Sequence, residues 1–251
     1  MQHLIITADD FGVSKAVNAG IIQAHDKGIV TSTCIMSNGK QFEDAINKLP
    51  KSLDLGIHLN LSWGKALTTG KKLDKHTQYK LLLKKGNKHF IEREFRAQIE
   101  KVLDLGIKPS HLNSHQHVHA FSPVKEITIK LAREYNINKV RWPKENSKGF
   151  TANLHYAKQK LIKFNLKNCP LTTTDHFFGL IYSGYPSMKA FLSYLNFKGT
   201  AEIMCHPAQK SLVYRNKFER SRPKELKILC SEHFSNAIKE KNIELISFKE
   251  L

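Results

Sequence analysis

Several short apolar runs of this 251-residue chain end in side chains that can bind a cation or move a proton. The run at residues 4–8 is followed by Asp9-Asp10-Phe11-Gly12, and His58 lies inside Gly56-Ile57-His58-Leu59-Asn60-Leu61. The run near residue 111 leads into Ser114-His115-Gln116-His117-Val118-His119, and a later one ends in Cys205-His206-Pro207. One Asp and two His form a donor set that holds a divalent ion and leaves positions open for water. Such an ion polarises a carbonyl and lowers the pKa of its water. A second carboxylate beside it can take the water proton as general base, so two adjacent acids supply both roles. A further His across the site could protonate a leaving group. An Arg near the base would keep it ionised, and Arg141 is the candidate.

Each piece has a mundane reading when taken singly. Tandem acids after a strand often cap a helix or make a turn, a lone His in an apolar strand is often a satisfied core residue, and Cys205-His206-Pro207 could simply begin a loop. In the His-rich run, residues 115, 117 and 119 share one face if the segment is extended. Their joint occurrence at strand ends is what points to a site.

The elements that must position these groups follow from apolar spacing. Strands are expected at Leu4–Ala8, Ile29–Met36, Leu53–Leu61, His111–Ser114, Lys139–Trp142, Thr200–Cys205 and Glu244–Phe248. Helices are expected from an N-cap at Ser14 to about Lys27, at Gln41–Leu49, at His89–Leu105, at Pro123–Tyr135, and near Ser187–Leu195 and Ser231–Lys241. Phe95, Ile99, Val102 and Leu103 make the core-facing stripe of the longest helix, which Gly106 and Pro109 stop. Strand–helix alternation argues a parallel sheet with crossover helices in an α/β fold. At this length a closed (β/α) barrel is favoured, with eight regular strands or fewer, as a single domain over 1–251 with chemistry at the C-terminal strand ends.

The chain carries 40 Lys+Arg against 22 Asp+Glu, a net charge of +18. The excess sits in residues 65–101 (net +7), 124–168 (net +8) and 208–228 (net +5), and everything else nets −2. A basic surface attracts nucleic acid, anionic lipid headgroups or acidic substrates. No finger, RNP-like or helix-turn-helix cue accompanies it, so nucleic-acid binding would rest on charge alone. No apolar run approaches the ~20 residues that span a bilayer, and the N-terminus does not read as a signal peptide. The four cysteines lie far apart with no CxxC, so neither a disulfide framework nor a thiolate zinc site is indicated. The expectation is a cytoplasmic protein. The sequence leaves its oligomeric state open, a homo-oligomer included.

Thr7-Ala8-Asp9-Asp10-Phe11-Gly12-Val13-Ser14, Gly28-Ile29-Val30-Thr31-Ser32-Thr33, the Gly56–Leu61 segment, Pro109-Ser110-His111-Leu112-Asn113 with the His-rich run after it, and Met204-Cys205-His206-Pro207 together resemble the YdjC-like carbohydrate deacetylases. The resemblance runs from residue 3 to the C-terminus. It implies an irregular, distorted TIM-like (β/α) barrel related in site design to polysaccharide deacetylases. It also implies removal of acetyl groups from N-acetylated amino sugars with a divalent metal, magnesium in several members. Carried over residue by residue, Asp10, His58 and His115 match the metal ligands, Asp9 the general base, and His206 a site-facing histidine chosen here as general acid. Arg141 lies in Val140-Arg141-Trp142-Pro143, which resembles a family Arg-x-Pro element. Asn60, His117 and His119 would stand behind the ligands or face substrate, while His111 and His119 also have an orienting or structural reading.

Trp63, Phe177, Phe178 and Tyr182 are candidate platforms for a pyranose ring, with ordinary packing as the alternative. The implied reaction is metal-assisted amide hydrolysis, with Asp9 taking the water proton and His206 protonating the sugar amine. Two other classes stay open: a metal-dependent hydrolase of another kind on the same site, for instance a phosphoesterase, and a basic binding module for membrane or nucleic acid. On ligand preference the donor set suits zinc. The basic segments suggest an anionic partner such as a lipid-linked sugar phosphate or the inner-membrane surface.

Overall fold

The structure, a computed structural model, describes every residue except 75–77, 79–80, 82–84, 146–160, 163, 167 and 211–215. The chain begins with β1 (Gln2–Phe11), α1 (Lys15–Asp26), β2 (Ser32–Ile35), α2 (Phe42–Asn47), β3 (Asp54–Leu59) and α3 (Lys88–Leu103). It continues through β4 (Leu112–Ser114), α4 (Val124–Glu134), β5 (His176–Phe178), α5 (Met188–Ser193), β6 (Thr200–Cys205), α6 (Lys217–Leu229), α7 (Glu232–Glu240) and β7 (Ile243–Leu245). Every strand pairing in the sheet is parallel, in the order β4-β3-β2-β1-β6-β5, with β7 beside the start of β1. The sheet curls. Beyond the β4 edge, Leu112 makes an isolated bridge to Val140, and Lys139 makes one to Thr172, ahead of β5 in the chain. The α/β barrel with few regular strands is thus the observed fold, in the form of a curled half-barrel.

Local chemistry accounts for the elements. Apolar and β-branched side chains fill β1, and all its residues from Leu4 onward are buried. Ser14 caps α1 by accepting from the Val17 amide at 3.2 Å, and Ser187 and Ser231 do the same for α5 and α7. Phe95, Ile99 and Val102 of α3 are fully buried against the sheet, while Leu103 sits at the edge of the stripe. Gly20 lets α1 come against the chain that follows His206, since a Cβ there would stand 2.3 Å from the Ala208 Cα.

Four expectations change. The segment expected as a strand at Lys139–Trp142 makes only isolated bridges, because Pro143 has no amide to continue a ladder and the Arg141 side chain turns inward. The final strand is shorter than expected, ending at Leu245. β5 was not anticipated, because three residues are too few to show a period. Nor was α6, whose interior Pro223 reads as a breaker.

The His-rich run also differs. It is not extended: Gln116 and His117 adopt left-handed backbone (φ 57° and 56°) inside a 3-10 stretch, His115–Ala120. His115 therefore parts from His117 and His119, whose rings stay in edge contact at 6.2 Å.

Candidate active site

The tandem aspartates would point to opposite faces of a regular strand. The β1–β2 register instead slips between Ala8 and Phe11, and Asp10 takes φ 72°. This bulge turns both carboxylates into the barrel. The Asp-Asp-Phe-Gly turn closes at Gly12, whose φ of 94° suits a residue without Cβ and whose amide donates to Asn18 Oδ1 at 2.8 Å.

Asp10 Oδ1 lies 3.1 Å from His115 Nδ1 and 3.4 Å from His58 Nε2, and the two ring nitrogens are 3.3 Å apart. Its other oxygen, Oδ2, accepts from Arg222 Nη2, reached from α6. Burial pushes the Asp10 carboxyl up, but the Arg222 charge, then His115, more than offset this and hold it well below the usual range. Bonds of about 2.1 Å at octahedral or tetrahedral angles place neighbouring ligand atoms about 3.0–3.4 Å apart. The three donor atoms, all within 4.8 Å of one another, therefore have the spacing to hold a divalent cation.

Asp9 meets Arg141 in a two-point pair: Nη1 donates to Oδ2 at 2.5 Å and Nη2 to Oδ1 at 2.9 Å. Arg141 is fully buried and also donates from Nε (2.9 Å) and Nη2 (2.7 Å) to Glu202 Oε1. Burial raises the Asp9 carboxyl, yet the charge of Arg141 and then of His58 brings it down to about 2. Asp9 is thus a carboxylate at any working pH. The same two aspartates outweigh burial at His58 and shift it upward, so the local potential favours positive charge where the donor atoms meet.

His206 follows β6. Its ring meets Phe218 of α6 edge-on at 4.9 Å, and burial is the main reason it falls to about 4. Beneath it the buried Glu225 accepts from the His206 backbone amide, and burial lifts Glu225 to about 7.

His117 packs edge-on against Phe177 at 5.7 Å, and Phe177 also lies under Arg141 (5.5 Å). His119 sits behind the site, its Nδ1 2.5 Å from Ser114 Oγ and its Nε2 2.9 Å from the Arg141 carbonyl; burial and then the Arg141 charge lower it to about 3.

Asn60 is engaged within its own loop: its Nδ2 donates to Asn38 Oδ1 and the Trp63 carbonyl, while Gln98 pins its backbone on both sides. Trp63 is half-buried in that loop. Phe178 alternates away from Phe177 and stacks on Tyr194 at 5.3 Å, and Tyr182 packs on the same tyrosine at 6.3 Å. His111 stacks on Phe248 at 3.7 Å, away from the donor cluster.

Sequence reasoning missed Arg222 and Glu202. Glu202 lies inside an apolar strand, where alternation with buried neighbours gave it no distinction. Arg222 lay in a basic segment read as surface. No spacing signal could have tied it to Asp10.

The sequence model for the YdjC-like protein family matches residues 3–240. A carbohydrate deacetylase of Clostridium beijerinckii is 35% identical, the match covering 100% of both chains. One from Brevibacillus brevis is 32% identical, again over 100% of both. A crystal structure from Enterococcus faecalis, of a protein assigned to cellobiose-phosphate cleavage, superposes with a TM-score of 0.77 at 25% identity, covering 99% of this chain and 98% of its own.

Proposed function

The chain belongs to the YdjC-like protein family, and on that premise we propose that it is a carbohydrate deacetylase that hydrolyses the N-acetyl group of an N-acetylated amino sugar and releases acetate. The observation that supports this most is the meeting of Asp10 Oδ1, His58 Nε2 and His115 Nδ1 at 3.1–3.4 Å beside the Asp9–Arg141 pair. The two imidazoles and one carboxylate fit a divalent cation, and the Arg222 contact on Oδ2 leaves Oδ1 for it. Bound there, the ion supplies a Lewis acid for the acetyl carbonyl and acidifies a water. Family resemblance favours magnesium and the donor set also suits zinc.

The chain's own residues do the rest. Water adds to the acetyl carbon as Asp9, held ionised by Arg141, takes its proton. The C–N bond breaks and acetate leaves. His206 is the proposed proton donor to the departing amine. Because it is neutral at rest, it must receive a proton within the cycle and pass it on. Phe177 supports the Arg141 and His117 side chains, and Trp63 at the loop edge remains the candidate ring platform.

The test is an acetate-release panel across soluble chitooligosaccharides and polyprenyl-phosphate-linked N-acetylhexosamines, each with magnesium and with zinc. Release that is abolished in Asp9→Asn is expected. Failure on every acetylated sugar, with phosphoester cleavage instead, would overturn the reading.

The remaining basic segments are proposed to bring the protein to an anionic carrier or to the inner-membrane surface as a peripheral cytoplasmic enzyme. No described helix is long and apolar enough to cross a membrane. Salt-sensitive flotation with anionic liposomes is the expected result, and its absence would leave the charge as a solubilising surface.

A further inference from the structure

The buried carboxamide of Asn113 touches both halves of this site. It is fully buried. Its Oδ1 lies 2.6 Å from His58 Nδ1, and its Nδ2 donates to Asp9 Oδ1 at 3.1 Å and to Cys34 Sγ at 3.0 Å.

The proton positions follow by elimination along a chain of contacts. Asp54 Oδ2 accepts from Ser110 Oγ, Ser32 Oγ and the Phe248 amide. With the Asp54 carboxyl and the Leu55 carbonyl as acceptors for its proton, Ser110 Oγ accepts from His111 Nδ1, 2.8 Å away. His111 is kept neutral by burial and then by the Arg141 charge, so its Nε2 is an acceptor. Cys34, 3.0 Å from that nitrogen, is held as a thiol by burial and gives its S–H to it. The Cys34 sulfur then receives an N–H, and a carboxylate waits on the other side at Asp9. The Asn113 nitrogen must face both. Its oxygen must therefore face His58, which fills His58 Nδ1 with the donated proton and leaves Nε2 with a lone pair on the cation side. A flipped amide would set an oxygen against Asp9 and the sulfur, and an N–H against His58. Gly56 makes room for the chain, since a Cβ there would stand 2.4 Å from the His111 ring.

We propose that Asn113 is the positioning residue of this site: it locks His58 in the Nδ1–H form with Nε2 turned to the cation, and the Cys34–His111–Ser110–Asp54 chain keeps its carboxamide from flipping. The proposal rests on the cation site described above. Contacts of this kind, one shell behind the ligands, set ring orientation and are worth about 10–100-fold in metal affinity.

The experiment measures two quantities that need no substrate: the ring-nitrogen chemical shifts of 15N-labelled His58 in the cation-free protein, and the dissociation constants of magnesium and zinc. In the wild type, at a pH high enough for the upward-shifted imidazolium to have lost its second proton, His58 is expected wholly as the Nδ1–H form. Asn113→Leu is expected to release it to a mixture of forms and to weaken the cation about 10–100-fold. Asn113→Asp keeps an oxygen on His58 and covers the case in which the leucine variant does not fold. It is expected to retain the Nδ1–H form yet lose turnover, because a second carboxylate now faces Asp9. Cys34→Ala, which frees the far side of the amide, is expected to loosen the Nδ1–H preference more mildly. An unchanged His58 spectrum in Asn113→Leu, or a cation affinity within two-fold of wild type, overturns the proposal. A wild-type protein that binds no divalent ion overturns the cation site itself, while the His58 spectrum still reports on Asn113.

Discussion

Arg222 and Asp10 are joined by a buried hydrogen-bonded ion pair although 212 residues separate them in the chain. With Arg141 on Asp9, each of two adjacent carboxylates has its own arginine. That arrangement lets two like charges lie side by side in a buried site. It also removes two cations from the surface excess that first suggested an anionic partner.

Replacing Arg222 by Ala leaves Asp10 buried without its cation, a loss of about 3 kcal/mol in the cation-free protein. Magnesium or zinc at Asp10 should restore part of it, because a bound ion compensates the same carboxylate. Urea unfolding with chelator and with each ion measures both. An identical loss in the two conditions would separate Arg222 from the cation site.

Arg141→Lys keeps the charge on Asp9 but not the fork that also reaches Glu202. We expect kcat to fall at least 10-fold with little change in KM, since Asp9 loses its alignment more than substrate loses a contact. Steady-state acetate release reads this. A rise in KM alone would place Arg141 in substrate binding instead.

Phe177 and Phe178 are neighbours with different duties. Phe177→Ala removes the surface under Arg141 and His117, whereas Phe178→Ala empties a place beside Tyr194 and Phe197. Each should cost about 3 kcal/mol of stability. Only Phe177→Ala should also lower kcat/KM by more than that loss explains, measured well below the unfolding temperature. Equal activity in the two variants would count against the Phe177 role.

Acid stability should follow the buried histidines. His119 and His206 bind protons near pH 6.5 when unfolded but only near 3 and 4 when folded. The unfolded chain therefore holds more protons between these values, so stability is full above about pH 6.5 and is lost as pH falls toward 4. Each histidine contributes about 1.4 kcal/mol per pH unit over that window. Tm measured from pH 7 to 4 should fall, and His119→Gln should give a shallower slope. A flat profile in the wild type would contradict the burial of both rings.

Much of the site was legible because its residues end apolar runs. Strand ends in a parallel α/β fold meet at one face, so Asp9, Asp10, His58 and His115 could be gathered before any coordinates. The cap at Ser14 was equally local, as were the helix starts near Ser187 and Ser231. α6 was not legible, since Pro223 is a breaker by type, while the Asn216 cap and the packing of Leu226, Ile228 and Leu229 on the core sustain the helix. β5 was too short to carry a pattern.

The sequence by itself determined which chemical groups are present, the strand–helix alternation and the motifs that carry the family likeness. The tertiary structure alone decided which groups touch. Alternation would have sent Asp9 and Asp10 to opposite faces, and a bulge with Asp10 at φ 72° brings them together. An extended run would have aligned His115, His117 and His119, and two left-handed residues divide them among the donor cluster, Phe177 and Arg141. The pair Asp10–Arg222 arises from the packing of α6 against the site, and His58–Asn113 from the β3–β4 register, in which the two residues are partners. These are non-local contacts, and no spacing along a chain encodes them.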